Sequence, residues 1–200
     1  MKILAFADLH SDAVVLKKLV KRAQEKDIDL VVCAGDFTVF ENGLSYILKK
    51  LDEIGKTVLI IPGNHETPEK LEKEFQKHTH LVHIHNKMWR KDDWVFLGWG
   101  TDGFSRNSED FRKIAREWRR QLTPSDKKVV LVTHAPPYQT LVDELYDDHV
   151  GNADIRTEIE RIKPRFAICW HVHENEGKED KIGETRVVNP GWNGMVISLD

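Results

Sequence analysis

The chain has 200 residues, a formal net charge of −3 and a charged fraction of 32%. Its length fits one domain over residues 1–200, and a hydrophobic fraction of 40% is enough for a buried core. With a negative net charge, the protein as a whole has no positive electrostatic potential that would attract nucleic acid. No apolar run is long enough to cross a bilayer, so we expect no membrane association.

The first third of the chain alternates apolar runs with segments of helical periodicity. The predicted strands are 3–7, 30–34 and 58–61, and the predicted helices are 13–26 and 43–54. Asp8, Asp36 and Asn64 follow the three strands, and 28 residues separate each of these positions from the next. This spacing matches one βαβ unit, and near-continuous apolar strands are typical of parallel strands that are covered on both faces.

The rest of the chain is less regular. Further helices are predicted over 67–78, 108–122 and 152–163, and further strands over 129–133, 166–169, 185–189 and 195–199. Residues 88–90 and 94–99 flank Asp92 and Asp93, which predicts a hairpin, and residues 138–151 are predicted to form a loop. Parallel units first and hairpin-like strands last imply two sheets, or one mixed sheet, with helices outside.

Two buried thiols are expected. Cys33 and Cys169 each lie inside an apolar run, which favours reduced cysteines in a cytoplasmic protein over a disulfide framework. The N-terminal apolar run is too short for a signal peptide and is interpreted as the first strand.

Polar side chains collect where the predicted strands end. In open α/β sheets, ligands bind at the carboxyl ends of the strands. Carboxylate, imidazole and amide oxygen together form a mixed nitrogen and oxygen site for divalent transition metals. A shared carboxylate can bridge two metals about 3.5–4 Å apart, the arrangement used for displacement at phosphorus. The residues at these strand ends are Asp8, His10, Asp36, Asn64, His65, His134, His171 and His173.

Five short blocks carry a family resemblance. They are Asp8-x-His10, Gly35-Asp36, Gly63-Asn64-His65-Glu66, Thr133-His134 and His171-x-His173. In this order, each after an apolar run, they resemble the calcineurin-like metallophosphoesterase superfamily, and in particular its small prokaryotic members without a cap domain. The resemblance implies a four-layer α/β/β/α sandwich of two mixed sheets flanked by helices.

The resemblance also implies two metal sites and one further catalytic residue. One metal would be held by Asp8, His10, Asp36 and His173, and the other by Asp36, Asn64, His134 and His171, so that Asp36 bridges them. His65 matches a position that faces the leaving group and does not bind metal. Mn, Fe, Zn, Ni and Co all accept such ligands, so the sequence does not identify the metal.

The chemistry of such a site predicts the reaction. Two cations lower the pKa of a bridging water, and the resulting hydroxide attacks the phosphorus of an ester. His65, as imidazolium, is expected to protonate the leaving oxygen or to stabilise its charge.

The expected substrate is a small phosphorylated molecule. A phosphodiester is preferred over a phosphomonoester because small, uncapped members of the superfamily often act on diesters. Substrate choice is expected to come from the loops at 101–108 and 138–151. One alternative is a nuclease acting on DNA or RNA, which would need a basic groove; helix 108–122 is basic, although a solvated face is the preferred interpretation. The other alternative is a catalytically weak scaffold protein of the same fold. The oligomeric state is not predicted.

Several residues near the blocks have two interpretations. The superfamily usually has glycine where this chain has Trp170, and the tryptophan is expected either to line the pocket and stack on substrate or to point into the core. His149 is either a substrate contact or an ordinary loop histidine. Asp12 is predicted to cap a helix or close a turn, Glu66 to cap or pair at a helix start, and Asn152 to cap the helix that it begins. The histidines at 78, 80, 83 and 85 are predicted to be structural.

Overall fold

The computed structural model describes residues 1–199; Asp200, the last residue of the predicted domain, lies outside the described residues. The helices are α1 (Ala13–Ala23), α2 (Leu44–Asp52), α3 (Pro68–Phe75), α4 (Glu109–Gln121) and α5 (Ala153–Ile162). The strands are β1 (Lys2–Phe6), β2 (Leu30–Cys33), β3 (Val58–Ile60), β4 (Leu81–His83), β5 (Lys87–Lys91), β6 (Trp94–Trp99), β7 (Lys128–Thr133), β8 (Glu144–Leu145), β9 (Asp148–His149), β10 (Phe166–Ile168), β11 (Glu179–Ile182), β12 (Thr185–Val188) and β13 (Met195–Ser198).

Two mixed sheets contain most of the strands. The first has the order β13-β1-β2-β3-β4, in which β1 to β4 are parallel and β13 is antiparallel to β1. The second has the order β11-β12-β10-β7-β6-β5, with four parallel inner strands and antiparallel edges. Strands β8 and β9 form a separate hairpin. The parallel pairs need crossover connections, and the helices supply several of them.

Side chains on alternate faces of the strands create three apolar layers. In β1, Leu4 and Phe6 pack on the side of α1 and α2, whereas Ile3 and Ala5 pack between the two sheets. A third layer lies between the second sheet and helices α4 and α5, and it includes Trp118. The period of two follows from the pleat of a strand. The resulting order of helices, sheet, sheet and helices confirms the expected four-layer sandwich.

Four of the strands within residues 1–199 were not predicted from the sequence. Strand β4 has only three residues, and β11 has the sequence Glu-Asp-Lys-Ile at the edge of its sheet. The predicted loop 138–151 contains the β8–β9 hairpin, whose strands have two residues each. Short or charged strands carry no apolar run, so periodicity does not reveal them. The hairpin around Asp92 and Asp93 is confirmed as β5–β6.

The predicted thiols and helix caps are found as expected. Cys33 and Cys169 are free and buried. Asp12 accepts hydrogen bonds from two backbone N–H groups at the start of α1, and Asn152 does the same for α5. None of the helices within residues 1–199 combines the length and apolar character needed to span a bilayer.

Trp170 lies in the core and not against a pocket. Its side chain is 0% exposed and packs between the two sheets, in the same layer as Ile168 and Val188. A ring in this position has no surface for stacking on a substrate, so the proposed substrate contact is wrong. The indole instead lies in the core near His173, and the centroids of the two rings are 6.0 Å apart.

Replacing Trp170 by alanine is expected to lower the free energy of unfolding by about 3–5 kcal/mol, because it leaves a cavity between the sheets. Urea unfolding followed by circular dichroism measures the change. Tyr146→Ala is the control: this side chain is 92% exposed, and its removal should change stability by no more than about 0.5 kcal/mol. Equal effects of the two substitutions would contradict the packing role of Trp170.

Candidate metal centre

The strand ends of both sheets meet at one place. Asp8 and His10 follow β1, Asp36 follows β2, and the remaining residues follow β3, β7 and β10. The structure brings the imidazole nitrogens and carboxylate oxygens into three overlapping groups, and within each group they lie within 4.8 Å of one another. The groups are Asp8, His10 and His173; His10, Asp36 and His65; and Asp36, His134 and His171. We call these seven residues, together with Asn64, the cluster.

One half of the cluster surrounds Asp8. Its carboxylate is 2% exposed, and its Oδ2 lies 2.8 Å from His173 Nε2 and 3.8 Å from His10 Nε2. The rings of His10 and His173 are stacked with centroids 5.5 Å apart. Burial raises the pKa of Asp8, but the contacts with His10 and His173 have the larger combined effect and lower this pKa to about 2. Asp8 is therefore a buried, charged carboxylate.

The other half surrounds His134. Its Nε2 lies 3.4 Å from Asp36 Oδ2, 3.1 Å from Asn64 Oδ1 and 3.2 Å from His171 Nδ1. Its Nδ1 lies 2.9 Å from the Ala34 carbonyl oxygen. A carbonyl can only accept, so Nδ1 donates to it, and the neutral form of the ring then presents the Nε2 lone pair to the other three groups. Metal-binding histidines are commonly oriented by such a carbonyl contact.

The oxygen and nitrogen atoms of the cluster are better suited to coordinating divalent cations than to forming hydrogen bonds with one another. Three atoms that can carry lone pairs, Asp36 Oδ2, Asn64 Oδ1 and His171 Nδ1, surround His134 Nε2. Asp8 Oδ1 and His171 Nε2 are buried and have no hydrogen-bond partner within residues 1–199. A buried carboxylate oxygen without a partner is costly, and coordination of a cation removes that cost.

The pKa values of the two central histidines, His134 and His171, are shifted in opposite directions. Burial lowers the pKa of His134, but its contact with Asp36 and the charges of Asp36 and Asp8 raise it to about 9. Burial, followed by the charge of His134, lowers the pKa of His171 to about 4. One ring thus attracts a positive charge beside Asp36, while the next remains neutral with a lone pair available.

The backbone is strained where the cluster is built. Asp8, His10 and Asp36 have φ values of 48°, 45° and 48°, and His171 has a φ of 75°. Non-glycine residues in this left-handed region cost about 1–3 kcal/mol each and concentrate at functional sites. Residues other than glycine rarely adopt such φ values, so a sequence of ordinary residues gives no reason to expect them.

Glu66 connects two loops of the cluster, a role beyond the helix-start pairing expected from its position. The carboxylate is 4% exposed. Its Oε2 accepts hydrogen bonds from the backbone N–H groups of Asp36 and Gly63, and its Oε1 accepts from the N–H and hydroxyl of Thr38. Glu66 therefore ties the loop after β2 to the loop after β3. A Cβ on Gly63 would lie 2.0 Å from Asp36 Oδ1, so this approach requires glycine.

The cluster lies between two clefts. One has a volume of about 330 Å³ and is lined by Asp8, His10, His173 and Trp192, among others. The other has a volume of about 310 Å³, and His149 lines it. His149 is thus outside the cluster but on the same face of the molecule, next to Phe104, whose ring centroid is 4.2 Å from that of His171.

The other histidines and the basic helix make contacts outside the cluster, and His83 and His85 are buried. His78 and His80 contact Asp52, and His83 contacts Glu72, outside the three ligand groups found within residues 1–199. In α4, four of the five cations form ion pairs with acidic residues: Arg112 with Asp154, Lys113 with Glu109 and Asp110, Arg119 with Glu158, and Arg120 with Glu117. These pairs are typical of a solvated helix face.

Known proteins resemble this chain in sequence and in fold. A family model described as calcineurin-like phosphoesterase matches residues 1–175. An uncharacterized protein of Methanocaldococcus jannaschii is 34% identical over 202 residues, which cover 95% of this chain and 88% of that protein. A probable glycerophosphodiester phosphodiesterase of Arcobacter nitrofigilis is 25% identical over 181 residues, 84% of this chain and 61% of that protein. The crystal structure of the Thermus thermophilus protein TT1561 superposes with a TM-score of 0.77 at 17% identity, covering 96% of this chain and 89% of that one.

Replacing Glu66 by glutamine is expected to destabilise the metal-free protein by about 1–3 kcal/mol, because an amide N–H₂ would face backbone N–H groups that then lose their acceptor. Urea unfolding in the presence of a chelator measures the loss. Glu69→Gln makes the same chemical change at an exposed position of α3 and should have little effect. If the two variants unfold alike, Glu66 does not connect the loops as described.

Proposed function

The chain belongs to the calcineurin-like phosphoesterase family and is a metal-dependent phosphoesterase, and we propose that it hydrolyses small-molecule phosphodiesters at a centre of two divalent cations. The observation that carries the proposal is the overlap of the ligand groups at Asp36. This carboxylate shares one group with His10 and another with His134 and His171. A carboxylate placed between two sets of ligands is suited to bridging two metals.

The proposed ligand sets are the two implied by the sequence resemblance. Asp8, His10, Asp36 and His173 would hold one cation, and Asp36, Asn64, His134 and His171 would hold the other. Support comes from one buried atom in each half of the cluster, Asp8 Oδ1 and His171 Nε2. Neither atom has a hydrogen-bond partner within residues 1–199. The donor set suits Mn, Fe, Zn, Ni or Co and does not distinguish them.

The cations would supply Lewis-acid stabilisation of the phosphoryl oxygens and activation of a water molecule as nucleophile. The protein orients the ligands that hold them: Asp36 Oδ1 accepts a hydrogen bond from the His65 backbone N–H, and Glu66 fixes the Asp36 backbone. The strained φ values of the cluster direct these side chains to a common point.

His65 holds a proton at a defined atom. Its Nδ1 accepts a hydrogen bond of 3.2 Å from the Phe40 backbone N–H, and this contact assigns the ring proton to Nε2. Nε2 lies 3.8 Å from Asp36 Oδ2, inside the cluster. We therefore assign to Nε2–H a hydrogen bond to the leaving oxygen of the ester.

The alternatives from the sequence gain no support. A nuclease needs several free cations along a groove, whereas four of the five basic residues of α4 are paired with acids. A scaffold would tolerate loss of ligands, whereas all seven proposed ligands lie in the cluster. We also propose that residues 1–200 act as one metallophosphoesterase domain and that the protein is cytoplasmic, as its two buried thiols suggest.

The first test is hydrolysis of bis-p-nitrophenyl phosphate and p-nitrophenyl phosphate by metal-free protein reloaded with Mn²⁺. We expect turnover that depends on the metal and is faster for the diester. Asp36→Asn should lower the rate by at least about 100-fold and reduce the bound metal measured by elemental analysis, because the variant loses the shared ligand.

Asp92→Asn is the matched control, since this aspartate lies in the exposed β5–β6 turn. It should leave rate and metal content unchanged. Failure to hydrolyse either ester with any of the five metals would contradict the proposal, and faster turnover of the monoester would overturn the diester preference.

The role of His65 is tested with two diesters that differ only in the leaving group, methyl p-nitrophenyl phosphate and methyl phenyl phosphate. His65→Ala should lower kcat for the phenyl ester by about 10²–10³-fold and for the nitrophenyl ester by less, because the poorer leaving group develops more charge on its oxygen and depends more on the hydrogen bond to it. His80→Ala, outside the cluster, controls for loss of an imidazole. An equal loss on both esters would argue against donation to the leaving oxygen.

A further inference from the structure

The cleft beside His171 is formed by the two loops that were expected to choose the substrate. Phe104 and Arg106 come from the first loop, and Leu145, His149 and Val150 come from the second. The Phe104 ring, 60% exposed, both lines this cleft and contacts His171. An ester whose phosphorus lies at the cluster would therefore place one of its substituents across Phe104 and into this cleft.

A fully buried carboxylate holds the wall of the cleft. Asp143 is 0% exposed and accepts hydrogen bonds from the backbone N–H groups of Gln139, Thr140 and Gly151. Its Oδ1 also lies 2.8 Å from His149 Nδ1. The carboxylate can only accept, so Nδ1 donates to it. Asp143 is thus a positioning residue for His149.

His149 in turn supports a stacked pair. Its ring packs edge to face against Tyr138 with centroids 5.9 Å apart, and its carbonyl oxygen accepts a hydrogen bond from Arg106 Nη1. The Arg106 guanidinium lies over the Tyr138 ring, 3.3 Å from its centroid. Stacking on an aromatic face fixes the plane of a guanidinium while leaving its N–H groups available at the edge.

The backbone that carries Arg106 is also tied down. The Asn152 side chain, which is buried, donates to the Ser105 carbonyl, and the Ala153 N–H donates to the Arg106 carbonyl. The cation is therefore held in place before any ligand arrives, which reduces the entropy lost on binding.

The charge of Arg106 is not neutralised by the protein. No carboxylate of residues 1–199 lies within ion-pair distance of its guanidinium, whereas Arg112 and Arg119 of α4 are each paired with an acid. Apart from the contact with His149, its N–H groups have no hydrogen-bond partner in the part of the chain that the structure describes. A fixed, unpaired guanidinium at the edge of a cleft is suited to bidentate binding of a carboxylate or phosphate.

We propose that Arg106 binds a second anionic group of the substrate, so that the preferred substrate is a phosphodiester whose substituent carries a phosphate or carboxylate beyond a carbon skeleton that lies on Phe104. The proposal rests on the phosphodiesterase function proposed above and adds the substrate class. Anion binding is assigned to Arg106, because its guanidinium is charged, stacked on Tyr138 and without a carboxylate partner among residues 1–199.

Two nucleotide esters that release the same leaving group test the proposal. They are thymidine 5′-(p-nitrophenyl phosphate) and its 3′-phosphorylated derivative, which carries the second anion. The metal-loaded enzyme should favour the derivative in kcat/KM by about 10-fold or more, and Arg106→Met should reduce that ratio to about 1. Arg116→Met removes an exposed guanidinium on α4 and should keep the ratio, which excludes general attraction between charges.

Calorimetry gives a second readout that does not need turnover. The metal-loaded protein should bind thymidine 3′,5′-bisphosphate about 10-fold or more tightly than thymidine 5′-monophosphate, and Arg106→Met should abolish this difference. If no ester is hydrolysed, the proposed function fails, but the binding difference still decides whether the anion subsite exists. Turnover or binding without any preference for the second anion would overturn the inference, as would a preference that survives in Arg106→Met.

Discussion

The architecture of the site depends on one buried carboxylate, that of Asp36. It follows β2, faces His134, accepts the backbone N–H of His65, and belongs to two of the three ligand groups found within residues 1–199. Its surroundings leave little freedom, since Gly63 lies against its Oδ1 and the Glu66 carboxylate holds its backbone N–H. A charge in this position requires positive partners, and the histidines of both sheets converge on it for that reason.

The site shows how stability and function are divided between the parts of the molecule. The layer between the sheets is apolar and well packed, with Trp170 buried in it, and it stabilises the structure. The strand ends instead carry left-handed backbone at Asp8, His10, Asp36 and His171, and polar atoms without partners among the described residues. The packed sandwich can tolerate such strain because its core fixes the positions of the strand ends, whatever the backbone conformation of the residues that follow them.

The two clefts differ in chemistry although they flank the same cluster. The first is formed by Asp8, His10 and His173 of the cluster together with Trp192 and residues at the start of α1, so only part of its lining consists of proposed ligands. The second is formed by two surface loops and carries a stacked arginine and a histidine held by a buried aspartate. Loops can change without disturbing a sandwich, and such loops are where substrate selection is expected to reside.

The sequence alone determined the strand–helix order and the polar residues that meet at the strand ends, because apolar runs and the polar blocks that follow them are local patterns. The four-layer sandwich was implied by the resemblance that those blocks carry, since the pattern by itself left one mixed sheet or two sheets open. The sequence did not reveal β4, β11 or the β8–β9 hairpin, which are too short or too charged to show periodicity. Only the tertiary structure decided that Trp170 faces the core, that Glu66 joins two loops, and that Arg106 stacks on Tyr138 without an acid to pair with among residues 1–199. Each of these depends on contacts between residues far apart in the chain, and no spacing within the sequence records such contacts.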